Sequence, residues 1–158
     1  MPTKAFQDHY PDDSAHCYGC GYLNPHGHQL KSYWDGDETI AEYTPKSYHT
    51  AFPGYVYGGL IASLIDCHGT GSAAAAMARA QNRAIDSDPP LRFVTAALKV
   101  DYLRPTPLGP PLKLRGTIAE VKGRKVVVQI TLSANDEVCA KGEVVAILVP
   151  DKMVQPDL

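Results

Sequence analysis

The pattern of apolar and polar positions divides the chain into three stretches. Residues 1–28 are rich in Asp, Pro, Gly, His and Tyr and carry neither a helical nor a strand period, so an irregular N-terminal segment is expected. Residues 30–33 and 39–43 are short β-prone runs flanking Asp35-Gly36-Asp37, which predicts a hairpin. Residues 45–54 read as a loop. From Gly58 to about Asn82 the pattern becomes helical, with Leu60, Ile61, Leu64 and Ile65 along one face. The run GTGSAAAAMARA that follows is built from small side chains, so another element can approach the helix backbone closely. Gly69 and Gly71 oppose the helix by roughly 1 kcal/mol each.

Asp86-Ser87-Asp88-Pro89-Pro90 ends the helix, and the rest of the chain reads as strand. Four runs rich in Val, Ile, Leu and Thr, at 93–103, 112–121, 126–132 and 138–149, are separated by turns at 105–111, 122–124 and 135–136. The order is β-β-α-β-β-β-β: one long helix between a short hairpin and an antiparallel meander. That predicts an α+β domain of two layers, a sheet on a helix. The absence of βαβ alternation argues against a doubly wound fold. We expect an irregular segment at 1–28, one domain at 29–150 and a short tail at 151–158.

Composition narrows the function classes. A chain of 158 residues holds one ordinary domain. A formal net charge of -2 gives no bulk attraction to nucleic acid or an anionic membrane. The N-terminus MPTKAFQDHYPDD has no apolar signal core, and no run approaches the ~18 apolar residues of a membrane span. The default expectation is the cytoplasm, with Cys17, Cys20, Cys67 and Cys139 reduced.

Three motifs carry a family resemblance. The segment from Tyr57 through Gly58, Gly59 and Leu64 to Asp66 resembles the H-G-G-x-x-x-x-L-x-D signature of the PaaI-like acyl-CoA thioesterases. Val100-Asp101-Tyr102-Leu103-Arg104-Pro105 resembles a later strand signature of that family. Cys17-Tyr18-Gly19-Cys20-Gly21, with Asn24-Pro25 and Gly27, resembles an N-terminal segment of a subset of it. The likeness spans about residues 16–148. It implies a hotdog fold, an antiparallel sheet wrapped around one long central helix. It also implies acyl-CoA as substrate, no cofactor, and a homodimer or homotetramer whose sheets join edge to edge with the active site at the interface. Two departures stand out: Tyr57 replaces the family's usual His, and the Asn often found upstream is not evident around Ala51 and Phe52.

The chemistry can be argued from the residues themselves. The first N–H groups of a helix lack intrahelical partners and face developing negative charge favourably, so Gly58 and above all Gly59 are candidate oxyanion donors. Without side chains, they let a thioester carbonyl approach. Asp66 lies seven residues on, about two turns along the same side, among Leu64, Ile65 and Cys67. A carboxylate there points to a general base or a nucleophile, and the sequence leaves both open. Thr70, four residues further, could hold water beside it; the plainer alternative is a helix Thr bonded to its own carbonyls.

Tyr57 and His49 are candidate substrate contacts, and each has a packing or solvated alternative. Arg104 with the Arg124–Lys125 turn could meet the phosphates of CoA, or the turn could simply be charged. His68, two residues from Asp66, is expected at a dimer contact or behind the site. Cys17-x-x-Cys20 has the spacing of half a zinc site. Cys67 and Cys139 fall on a helix and a strand and no second C-x-x-C exists, so no metal is expected. Two rival functions stay open. One is a hotdog hydratase or dehydratase pairing Asp66 with His49 or His26, and the other is a non-catalytic acyl-CoA-binding module.

Overall fold

The computed structural model describes residues 4–150. The expected tail at 151–158 therefore lies outside the described residues, as do residues 1–3. The strands are β1 (Ser32–Asp35), β2 (Glu38–Tyr43), β3 (Phe93–Tyr102), β4 (Leu112–Lys122), β5 (Lys125–Ala134) and β6 (Glu137–Leu148), with one helix, α1 (Gly58–Ala80). They form one antiparallel sheet in the order β1-β2-β4-β5-β6-β3, curled on the long helix. This is the hotdog architecture.

The core follows from strand alternation. Val126, Val128, Ile130, Leu132 and Ala134 of β5 are all buried, as are Leu112 and Leu114 of β4, and they meet Leu60, Ile61, Leu64 and Ile65 of α1. Close approach of helix and sheet depends on two glycines. A Cβ at Gly69 would overlap the Val144 side chain, and one at Gly142 would overlap Ile65. Those positions make the Gly cost in the helix worth bearing.

The second half of α1 is not a one-faced amphipathic helix. From Cys67 to Ala78 every residue but Thr70 is buried. The N-terminal segment covers the side away from the sheet. It forms two short 3-10 turns, Phe6–His9 and Asp12–Ser14, and buries Ala5, Phe6, Gln7 and Ala15. Irregular sequence has here become a packed layer.

A polar network lies inside this packing. His68 is fully buried; its Nδ1 meets Ser32 Oγ at 2.8 Å and its Nε2 meets Thr39 Oγ1 at 3.1 Å. Thr39 Oγ1 also meets Ser72 Oγ at 2.7 Å, while the Gln7 side chain both accepts from and donates to Ser32. The expectation of a dimer contact at His68 is thus corrected, because the residue has no surface to offer. Burial holds this imidazole down, to about 4, against a smaller opposing contribution from its hydrogen bond to Thr39.

The strand β3 pairs only with β6 among the described residues and leaves its other edge open. It carries a bulge between Thr95 and Ala97, and Val94, Leu98, Tyr102 and the following Leu103 are exposed.

Candidate active site

The helix α1 starts at Gly58 with Tyr57 as its cap residue, and no side chain caps it. The N–H groups of Gly58 and Gly59 have no acceptor among the described residues, whereas Leu60 and Ile61 already donate to the Tyr57 carbonyl. The turn is braced from two sides. The Tyr57 N–H donates to the His49 carbonyl at 2.9 Å, and the Tyr102 hydroxyl donates to the Gly58 carbonyl at 2.7 Å. The Tyr57 ring lies over Gly59, where a Cβ would overlap it. It is 56% exposed, so it lies over Gly59 without being locked into the core.

Asp66 sits two turns further along, half-buried, facing β3. Its Oδ1 accepts from the Thr95 hydroxyl at 2.5 Å. Oδ2 has no hydrogen-bond partner, and no Lys, Arg or His pairs with the carboxylate, among the described residues. Sequence reasoning missed Thr95. Its signal was a hydroxyl within the apolar run FVTAAL, but the bulge that aims it at the helix has no such mark.

Thr70 takes the plainer of its two readings. Its hydroxyl donates to the Asp66 and Cys67 carbonyls at 3.3 and 3.2 Å, so towards a water it is an acceptor only. It lines a cavity of about 360 Å³ with Tyr10, Cys17, Cys20, Phe93 and Val94.

His49 does not approach Asp66. Its Nδ1 accepts from the Lys46 N–H at 2.9 Å, and its ring packs against His28, Tyr43 and Tyr48. Burial and the Lys46 charge lower its pKa. His26 is exposed and makes its hydrogen bond through its backbone N–H, to Asn24 Oδ1. Neither His49 nor His26 hydrogen-bonds Asp66 among the described residues.

The basic residues are separated. Arg104 pairs with Glu137 at 3.0 Å at the start of β6. Arg124 donates twice to the Leu148 carbonyl at the end of β6, and Lys125 pairs with Glu120 at 2.9 Å. Those ends lie about 36 Å apart at ~3.3 Å per residue. Within one chain Arg104 and the Arg124–Lys125 turn cannot hold the same nucleotide.

The cysteines bring the largest correction. Its place on the helix makes Cys67 an unexpected partner of Cys17 and Cys20. The helix instead presents it to the N-terminal turn: the three sulfurs all lie within 4.8 Å of one another, with Cys17 and Cys67 at 3.8 Å. Contact with the other two sulfurs lowers the pKa of the Cys17 thiol, whereas contact with Cys17 raises that of Cys20. Burial, with the neighbouring sulfurs of Cys20, Cys67 and Cys17, raises the Tyr10 phenol well above its usual value.

A family model described as the thioesterase superfamily matches residues 53–141, a span that includes the Gly58–Gly59 turn, Asp66 and Thr95. The crystal structure of a thioesterase superfamily protein from Shewanella loihica PV-4 is 55% identical, covers 91% of this chain and 99% of its own, and superposes with a TM-score of 0.70. Acyl-coenzyme A thioesterase THEM4 of Xenopus laevis is 28% identical over 110 residues, 70% of this chain and 44% of that protein. The Rattus norvegicus protein of the same name is 29% identical over 103 residues, 63% of this chain and 39% of its own length. The chain thus spans less than half of those curated relatives. With the glycine turn, the helix and strands β3 to β5 inside the matched region, the chain belongs to the thioesterase superfamily.

Proposed function

We propose that this protein hydrolyses acyl-CoA thioesters to the free acid and CoA, with Asp66 as the reacting carboxylate. The observation that carries the reading is the state of Asp66: half-buried on the central helix, held through one oxygen by Thr95, and without a cation partner among the described residues. A carboxylate kept in that condition is costly unless it has work to do. Its Oδ2 is available to take a proton from water or to attack the carbonyl.

The oxyanion donors are the Gly58 and Gly59 N–H groups. Seven residues at 1.5 Å place Gly59 about 10.5 Å along the helix from Asp66, too far for one thioester carbonyl to meet both. A two-fold dimer through β3 removes the difficulty. Thr95 lies near the first end of β3 and Tyr102 at the other, so antiparallel pairing of two copies brings Asp66 towards Gly59 of the partner subunit. The same pairing brings Arg104 towards the partner's Arg124–Lys125 turn, reuniting the basic rim for CoA. The open edge and the exposed Val94, Leu98 and Tyr102 favour that contact. The assembly is then a homodimer, or a homotetramer built from two.

The cavity beside Thr70 suits the acyl group, since its wall is largely apolar: Pro11, Ala74, Leu91, Phe93, Val94 and Val149. At about 360 Å³ it lies near the small end of ligand sites, which favours short or aromatic acyl groups. A Streptococcus mutans protein of the same fold was solved with acetyl-CoA bound; it is 17% identical with a TM-score of 0.60. The test is a panel of acyl-CoAs followed with a thiol-trapping dye. Release of CoA thiol with turnover supports the proposal. Hydration of an enoyl-CoA without thiol release would support the hydratase reading instead.

A further inference from the structure

The three-sulfur cluster plays no part in thioester hydrolysis as set out above, yet it is built with care. Its members come from a turn at Cys17-x-x-Cys20 and from Cys67 on α1, distant in sequence. The turn is shaped to reach the helix. The Gly21 N–H donates to the Cys17 carbonyl at 2.8 Å, closing a tight loop around the pair. Gly19 lies directly on Cys67, where a Cβ would overlap Sγ, so any side chain would push the turn off the helix.

The spacing carries the argument. A tetrahedral metal with metal–sulfur bonds of ~2.3 Å holds its sulfurs about 3.8 Å apart. Cys17 and Cys67 stand at 3.8 Å, and all three sulfurs fit within 4.8 Å. Cys20 and Cys67 are buried and Cys17 is exposed, so the cluster opens on one side only. That side is the cavity, which Cys17 and Cys20 line with Tyr10 and Thr70. Arg92 also borders the cavity, but its guanidinium is engaged by Asp13 and Ser14, and no cationic side chain pairs with the sulfurs among the described residues. Soft sulfur donors in this number select thiophilic cations over hard ones.

We propose that Cys17, Cys20 and Cys67 form a zinc site, with its fourth position taken from the cavity by water or another small ligand. The metal ties the N-terminal turn to α1 next to Asp66 and fixes one wall of the acyl cavity. Cys139 lies on β6, outside the cluster, and is the internal control.

The test uses the untagged full chain, kept under reductant, stripped with a chelator and titrated with Zn²⁺ or Co²⁺. The expected result is saturation at about one ion per chain, with Co²⁺ giving thiolate-to-metal charge transfer and the intense visible bands of a tetrahedral site. The metal-loaded chain should melt at a higher temperature than the stripped one. Cys17→Ser should abolish uptake without unfolding the chain, because Cys17 is exposed; Cys67→Ser should do the same, and Cys139→Ser should leave it intact. Absence of saturable uptake by the reduced protein, or uptake that survives Cys17→Ser in a folded chain, overturns the proposal. None of these readouts depends on thioester hydrolysis.

Discussion

The Thr95 hydroxyl donates to Oδ1 of Asp66 at 2.5 Å, linking the central helix to the open edge strand at its bulge. The bond fixes which carboxylate oxygen is held and which is available, and it places the carboxylate proposed to react at the strand edge where the proposed second copy would dock. Thr95→Val keeps the shape and removes the donor. It should lower kcat by about 10-fold while KM changes little, since a hydrogen bond to a charged group is worth ~1.5–3 kcal/mol and part of it serves folding. Thr95→Ser should restore most of the rate. Steady-state kinetics on the best acyl-CoA checks both, and an unchanged kcat in Thr95→Val would remove Thr95 from the site.

The proposed two-subunit site makes a prediction about mixtures. Asp66→Asn homodimers and Gly59→Val homodimers should each be nearly inactive. Unfolding and refolding them together at equal amounts should regain about a quarter of wild-type activity, because half the dimers are mixed and each mixed dimer contains one intact site. A site made within one chain would regain nothing. Light scattering on the same samples should give at least twice the 17.1 kDa of the chain.

His68 gives a prediction about pH. Its imidazole is held to about 4 in the folded chain, below the unfolded value of about 6.5. The unfolded state therefore binds more protons between those values, so the stabilisation is fully present above pH 6.5 and is lost as pH falls towards 4. The full loss is on the order of 3 kcal/mol. Denaturant unfolding at pH 7.5 and pH 5 should show the drop. His68→Gln, which can still bond Ser32 or Thr39, should flatten it even if it lowers stability at pH 7.5.

The sequence made the regular elements legible because their periods are set locally. The four late strands and the helix start fall within a few residues of expectation, since Val-rich alternation and the Gly58–Gly59 entry need no distant information. What it hid was every relationship between distant segments. Cys67 could not be placed against Cys17 without knowing that the N-terminal turn covers the far side of α1. His68 looked available for an interface until Ser32, Thr39 and Gln7 closed around it. Thr95 depends on a bulge, and Arg104 on which end of β6 it reaches. Asp66, by contrast, stands out as a candidate in the sequence alone, because a lone carboxylate among Leu64, Ile65 and Cys67 breaks the local apolar pattern.

The central claim is that the Asp66 carboxylate performs the hydrolysis. Asp66→Asn preserves size and can still accept from Thr95, but it has neither charge nor basicity. An amide is also cheaper to bury than a carboxylate, so the fold should survive. The decisive measurement is kcat for the best acyl-CoA in the folded variant beside wild type. The account predicts a fall of about 10²-fold or more with KM much less affected. Hydrolysis by folded Asp66→Asn at near the wild-type rate would contradict it.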